Sequence, residues 1–230
     1  MHRPVVVVRL SILSAGLVYS LLLYLSGVEL NSWTKRILTL LPAFGAGFLA
    51  LWDVWLWRLP GVKNLVRRPR LDGLWQVTLT PTDDSHIPQG GNRGPIAAFL
   101  IISQSYWSIH VRQYTAESIS RSRAFFWEQP NGADTERLTF IYDNDPKQSQ
   151  RHRSTWHLGS CILDPANRRP LTMSGVYFTD RYTKGDMEIL LIDRTKGYGS
   201  FGEAERHTTS ICSSSAPSIQ IRDEDNHGRQ

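Results

Sequence analysis

Residues 175–182 read GVYFTDRY. Side chains alternate along an extended strand, so this stretch sets Gly175, Tyr177, Thr179 and Arg181 on one face and Val176, Phe178, Asp180 and Tyr182 on the other. A ring, a hydroxyl and a guanidinium in line make a poor core stripe but suit a flat, polar, anionic ligand. Similar faces recur. Ser118, Ser120 and Ser122 line one side of ESISRSRAFFW, with Ile119, Arg121 and Arg123 opposite; Phe140, Tyr142 and Asn144 share a face of TFIYDNDP; Thr155, His157 and Gly159 share one of TWHLGS. Two readings stand. Either these are solvated outer faces whose apolar alternates fill a core, or they line a lumen. An eight-stranded barrel can hold one small ligand, so the second is physically open.

No catalytic constellation is visible. GYGSFG at 197–202 fits GxGxxG, but a dinucleotide fingerprint needs a βαβ unit and the surroundings read as β throughout; a glycine-rich turn closing the barrel is the expectation. His110 and His157 fall on separate strands, where a satisfied or solvated imidazole is the default. Cys161 and Cys212 lie 51 residues apart with no CxxC pair, which points to reduced thiols and not to a disulfide framework or zinc site. GxSxG and HExxH are absent. An enzyme acting at the membrane would lack an assembled site, so no catalytic residue, metal or cofactor is expected.

The elements that must position these residues are strands. Runs rich in β-branched and aromatic residues span Leu74–Thr80, Ile96–Gln104, Trp107–Thr115, Ser118–Trp127, Arg137–Asp143, Ser154–Leu163, Leu171–Tyr182 and Asp186–Arg194. Turn chemistry separates them: PTDDSHIPQGGNRGP, SY, AE, EQPNGADTE, NDPKQSQRH, DPANRRP and TKG. The short breaks predict hairpins, and no long helical period intervenes. An eight-stranded antiparallel meander β-barrel over residues 70–206 is the simplest closure and removes the sheet edges; a two-sheet sandwich is the alternative. The polar stretch 207–230 is expected to be a disordered tail.

Ahead of the all-β domain, residues 1–58 predict a two-helix transmembrane hairpin. Leu10–Val28 carries no charge over 19 residues, and Ile37–Trp57 is interrupted only by Asp53 over 21; about 20 apolar residues cross a bilayer. Trp33, Trp52, Trp55 and Trp57 read as an aromatic belt. Asp53 is expected near the exit, reaching headgroups or Arg58. A cleaved signal peptide is the alternative for the first segment. The chain carries +5 overall. Residues 1–69 hold eight Lys/Arg against two acids, whereas 70–206 balance at sixteen of each. A binder of long nucleic acid would show a basic footprint on its folded domain, so that partner is excluded. Arg3, Arg9, Arg58, Lys63, Arg67 and Arg68 outnumber Lys35 and Arg36 of the connecting turn. This bias predicts a two-pass inner-membrane protein with both termini, the basic linker 59–69 and the barrel in the cytoplasm.

In order, RPRLDGLW, SQSYWSIHVRQYTAESISRSRAF, FIYDNDP, STWHLGSCIL and LTMSGVYFTDRYTKGDMEI follow a double span. This order resembles the two-transmembrane, β-strand-rich effectors of bacterial CBASS anti-phage systems, the minimal β-barrel receptors associated with CD-NTases. The likeness runs to about residue 200. It places Gly73 and Trp75 at the start of the barrel, Thr115, Ser118, Ser120 and Ser122 on a Thr/Ser-rich strand, and Tyr142, Asn144 and Pro146 in a Tyr-x-Asn-x-Pro turn. His157 and Gly159 follow, then Gly175, Tyr177, Phe178, Thr179 and Arg181. It implies that a CD-NTase makes a cyclic oligonucleotide, such as a cyclic dinucleotide, which the barrel binds as activating ligand. The protein would then form a homo-oligomer and disrupt the lipid bilayer. The ligand-binding set implied is Arg181, Tyr177, Thr179, Tyr142, Asn144, Ser120, Ser122, Thr115 and His157. Arg181 would hold a phosphate through a bidentate fork, Tyr177 or Tyr142 would stack on a base, and the hydroxyls and Asn144 would read base edges or ribose. The competing reading is a membrane-tethered, lipocalin-like barrel for an apolar ligand. The two differ in what lines the lumen: rings and hydroxyls around an arginine, or aliphatics.

Overall fold

The computed structural model describes residues 4–25, 27, 31–62, 66–129 and 131–215. Helices α1 (Pro4–Leu25) and α2 (Ser32–Val54) are followed by a closed antiparallel barrel and a helix α3 (Phe201–Ser215). The barrel runs β1 (Gly73–Pro81), β2 (Ile96–Gln104), β3 (Ile109–Thr115), β4 (Ser118–Glu128), β5 (Arg137–Pro146), β6 (His157–Pro165), β7 (Thr172–Thr179) and β8 (Lys184–Asp193). Each strand pairs with its sequence neighbours and β8 closes on β1, so the expected meander barrel is the fold and the sandwich is not.

Barrel closure decides which of the alternating faces is inside. Trp75, Val77, Leu100, Ile102, Val111, Leu138, Phe140, Leu163, Met187 and Ile189 fill the lumen toward the end near the helices. That end is sealed. The Trp75 indole donates to the Leu71 carbonyl at 2.8 Å, and Gln104 accepts from the Leu71 amide at 2.7 Å and donates to the Pro69 carbonyl at 2.8 Å. The opposite end, formed by connections 82–95, 116–117, 147–156 and 180–183, stays open.

Several expectations are corrected. β7 stops at Thr179, so Arg181 lies in a turn and not on the Tyr177–Thr179 face; the Thr179 amide donates to the Thr183 carbonyl at 2.9 Å and Tyr182 takes a left-handed φ of 61°. Tyr142, Asn144 and Pro146 do not form a turn. They belong to β5, paired with Ser122, Ser120 and Ser118, because the long β4 carries the ladder onward. Thr155 precedes β6 and is not part of it.

The tail is also corrected. Residues through Ser215 belong to α3, while 216–230 lie outside the described residues. Ser200 and Glu203 cap the start of the helix: Ser200 Oγ accepts from the Glu203 amide at 3.3 Å and the Glu203 carboxylate accepts from the Gly199 amide at 2.7 Å. Phe201 packs edge-on against Phe99 at 5.3 Å and Ala204 is fully buried against the outer wall. The GYGSFG stretch therefore leads into a helix and does not close the barrel.

Among the described residues no helix is long and apolar enough to cross a membrane, so the expectation of two spans is not supported. Residues 28–30 of the connecting turn and 63–65 of the linker lie outside the described residues. Asp53 does not reach toward headgroups. It is 6% exposed; its carboxylate accepts from the Trp107 amide at 3.1 Å, and its carbonyl accepts from the Tyr106 amide at 2.9 Å and the Trp57 indole at 3.1 Å. Trp52 and Trp57 meet the Tyr106 ring at 5.7 and 5.9 Å. Both tryptophans thus serve a joint between α2 and the β2–β3 hairpin instead of an interfacial belt.

Candidate functional site

The open end leads into a cavity of about 340 Å³. Ligand pockets commonly span about 300–1,000 Å³, so the space suits one small molecule. Tyr142, Tyr177, Asn144, Ser120, His157, Thr115, Thr179 and Arg181 all line it; Ser122 does not. The face raised by GVYFTDRY therefore points inward.

The two tyrosines form its floor, and each lies over a glycine. Tyr142 pairs with Gly159 and Tyr177 with Gly185. A Cβ at 159 would stand 2.4 Å from the Tyr142 ring, and one at 185 would stand 2.8 Å from the Tyr177 ring. Burial raises the Tyr142 phenol far above its ordinary value. Burial, with Asp186 nearby, pushes Tyr177 up to about 12. Both phenols stay protonated near neutral pH and can donate.

Above the floor the lining is polar. Ser120 Oγ donates to Asn144 Oδ1 at 2.8 Å, which leaves the Asn144 amide nitrogen to donate elsewhere. The His157 Nδ1–H donates to the Thr155 carbonyl at 2.9 Å, since a carbonyl only accepts. Burial lowers the pKa of this imidazole, and Arg181 adds to the effect. A neutral ring with Nδ1 protonated leaves Nε2 as an acceptor, the complement of an exocyclic amine.

Arg181 spans the mouth: its Nη1 donates to Ser154 Oγ at 2.8 Å, whereas Asp186 lies on the outer face of β8. A second cation, Arg153, stands in the β5–β6 connection. It contacts Glu117 and donates to Gln150 Oε1 at 2.8 Å and to the Gly90 carbonyl at 3.2 Å. The mouth thus presents two guanidiniums over a ring-lined floor.

The remaining hydroxyls differ in role from the expected set. Thr115 Oγ1 accepts from the Ser118 amide at 2.9 Å and the Glu117 amide at 3.2 Å, closing the β3–β4 turn. Thr179 Oγ1 accepts from the amides of Arg181 at 3.3 Å and Thr183 at 3.2 Å. Ser122 sits before a β-bulge at Arg123, where the register jumps. The β3–β4 ladder ends at Arg112↔Arg121, and Ser122 Oγ accepts from the otherwise stranded Val111 amide at 2.9 Å. Its parity matched Ser120, but the bulge turned its oxygen to the backbone.

Gln113, Arg153, Ser154, Ser85 and Asn92 line the cavity and were not expected. Gln113 could have been found by continuing the Thr115 face two residues back. The others lie in connections, which carry no periodicity.

The family described as Cap15, cyclic dinucleotide receptor domain, matches residues 66–190. No curated protein matches the chain. The matched stretch holds the barrel from before β1 into β8, and with it the tyrosine floor and the Arg181 mouth. With more than half of its length matched, the chain belongs to the Cap15 cyclic dinucleotide receptor family.

Proposed function

We propose that this protein is a membrane-anchored CBASS effector whose barrel takes a cyclic dinucleotide made by a CD-NTase. The observation that carries the reading is the cavity itself: two rings, one over each of two glycines, with Ser120, Asn144 and His157 above them and Arg181 and Arg153 at the mouth. A cyclic dinucleotide presents flat bases for the rings, edges for the polar side chains and phosphates for the guanidiniums. The lipocalin-like alternative is disfavoured because Trp75, Leu100, Ile102, Leu138 and Leu163 already fill the apolar half of the lumen. Little room remains there for a hydrocarbon tail. No step of chemistry on the ligand is assigned.

Ligand binding would drive self-association and membrane disruption through the helical hairpin. Support comes from the exposed Leu17, Tyr24 and Leu25 of α1 and Ile37, Phe44 and Phe48 of α2, a number of large apolar side chains that water does not favour. The lysine and arginine bias then puts both termini and the barrel in the cytoplasm. Calorimetric titration of the full chain in detergent tests the ligand. A cyclic dinucleotide should bind and a fatty acid should not; the reverse result overturns the reading. A phosphatase fused at Gln230 should stay inactive in the periplasmic assay, and an active fusion overturns the orientation.

A further inference from the structure

The closed end of the barrel carries a second, smaller cavity of about 70 Å³, lined by Trp57, Val66 and five arginines: Arg58, Arg68, Arg70, Arg168 and Arg169. Among the described residues no carboxylate lines it. Two acids answer the cluster from beside it. Arg68 pairs with Glu136 at 2.7 Å, and Arg70 pairs with Asp72 at 2.8 Å. Asp72 is shared, since Lys196 approaches it at 3.7 Å. Arg58 contacts the Gln104 carbonyl, and Arg169 donates to the Arg58 carbonyl at 2.9 Å. The acceptors of Arg58 and Arg169 are neutral carbonyls, so among the described residues neither guanidinium is held by a direct ion pair. The Arg58 Nε–H is buried with no hydrogen-bond partner. A buried donor left unmade costs free energy, and one beside an arginine-lined cavity points to an anion.

We infer that this cavity binds the phosphate of an anionic phospholipid headgroup. The inference rests on the reading of the hairpin as a membrane anchor. Arg58 ends the short 3-10 turn Leu56–Arg58 directly after α2, so the cluster sits where the chain leaves the hairpin. Clustered arginines just cytoplasmic of a membrane segment attract anionic lipids. Guanidiniums grip phosphate through paired N–H groups and tolerate partial desolvation. The size of the cavity suits a phosphate and not a nucleoside, and it lies at the opposite end of the barrel from the cyclic dinucleotide cavity. A lipid held here would tie the closed end of the barrel to the bilayer while the mouth stays open to the cytosol.

The full chain in neutral detergent is titrated with phosphatidylglycerol, phosphatidylcholine or inorganic phosphate while its melting temperature is followed. Phosphatidylglycerol should raise the melting temperature, and the other two should not. The double variant Arg168→Glu/Arg169→Glu should need roughly tenfold or more phosphatidylglycerol for half the effect, as expected when a charge-assisted contact is lost. Its cyclic dinucleotide affinity should not change, because that cavity lies at the other end of the barrel. If the double variant does not fold, Arg169→Gln, an exposed position, serves instead. Equal responses to the two lipids, or a full response in the variant, overturn the site. A response reproduced by inorganic phosphate overturns the lipid assignment in favour of a free anion. A chain that responds to phosphatidylglycerol but binds no cyclic dinucleotide keeps this site while removing the proposed function.

Discussion

Tyr142 reaches over Gly159: the two are paired across β5 and β6, and a Cβ at 159 would meet the phenol end of the ring at 2.4 Å. The glycine leaves the space that the ring fills, and the ring is then held as part of the cavity floor.

Gly159→Ala should therefore displace Tyr142. Overpacking of this kind costs about 1–3 kcal/mol, and the loss of a stacking base contact costs about 1–3 kcal/mol of affinity. Melting and calorimetry should both report a decrease. Tyr142→Phe keeps the ring and should retain most of the affinity. A Gly159→Ala protein that binds as tightly as wild type would remove Tyr142 from the ligand platform.

Arg181 reaches across the mouth to Ser154 at 2.8 Å. Charge-assisted hydrogen bonds contribute about 1.5–3 kcal/mol each, so Arg181→Ala should weaken cyclic dinucleotide binding roughly ten- to a hundredfold. Arg181→Lys should recover part, because an ammonium keeps the charge and loses the fork. Equal affinities, with normal melting, would leave Arg181 as a turn residue alone.

Ser120 and Ser122 should separate binding from stability. Ser120→Ala should lower affinity, because Ser120 Oγ orients Asn144 inside the cavity. Ser122→Ala should leave affinity near wild type and cost about 1–3 kcal/mol of stability, since the Val111 amide loses its acceptor. The opposite pattern in titration and melting would reverse these two roles.

Acid should destabilise the barrel through His157. Its folded pKa is lowered from 6.5 by burial first and then by Arg181, so the unfolded chain binds more protons there. The stabilising contribution is whole above the unfolded value and is lost as pH falls below it toward the folded value. His110, lowered by burial and by Arg112 and Arg121, acts in the same direction. Melting temperature should fall on acidification from neutral pH, and His157→Gln should flatten part of that slope. An unchanged slope in the variant would place the effect elsewhere.

Asp53→Ala should uncouple the hairpin from the barrel. The Trp107 amide would lose the carboxylate it donates to at 3.1 Å. Cyclic dinucleotide affinity should persist, because the cavity opens at the far end, while growth arrest on co-expression with a CD-NTase should weaken. Full arrest in the variant would show that this joint does not transmit the signal.

By itself the sequence determined the barrel. Eight β-rich runs with short breaks allow few pairings other than neighbour to neighbour, and β2 came out with its expected bounds, Ile96–Gln104, because Pro95 precedes it and Ile96–Ile102 is an unbroken apolar run. The inward set Tyr142, Asn144, Tyr177 and His157 was legible as alternation. Which face was inward was not, because period two is the same seen from either side; barrel closure and the fit of rings over Gly159 and Gly185 decided it. Tertiary structure also took Ser122 out of the cavity, through a bulge that parity does not register. It placed Arg181 in a turn, brought Arg153 to the mouth from a connection without periodicity, and turned Asp53 and Trp57 from an expected membrane edge to a joint with Tyr106 and Trp107. For Arg153 and Asp53 the deciding contacts join residues far apart in the chain, with Gly90 and Trp107; for Arg181 and Ser122 they are a tight turn and a bulge, which strand parity does not register.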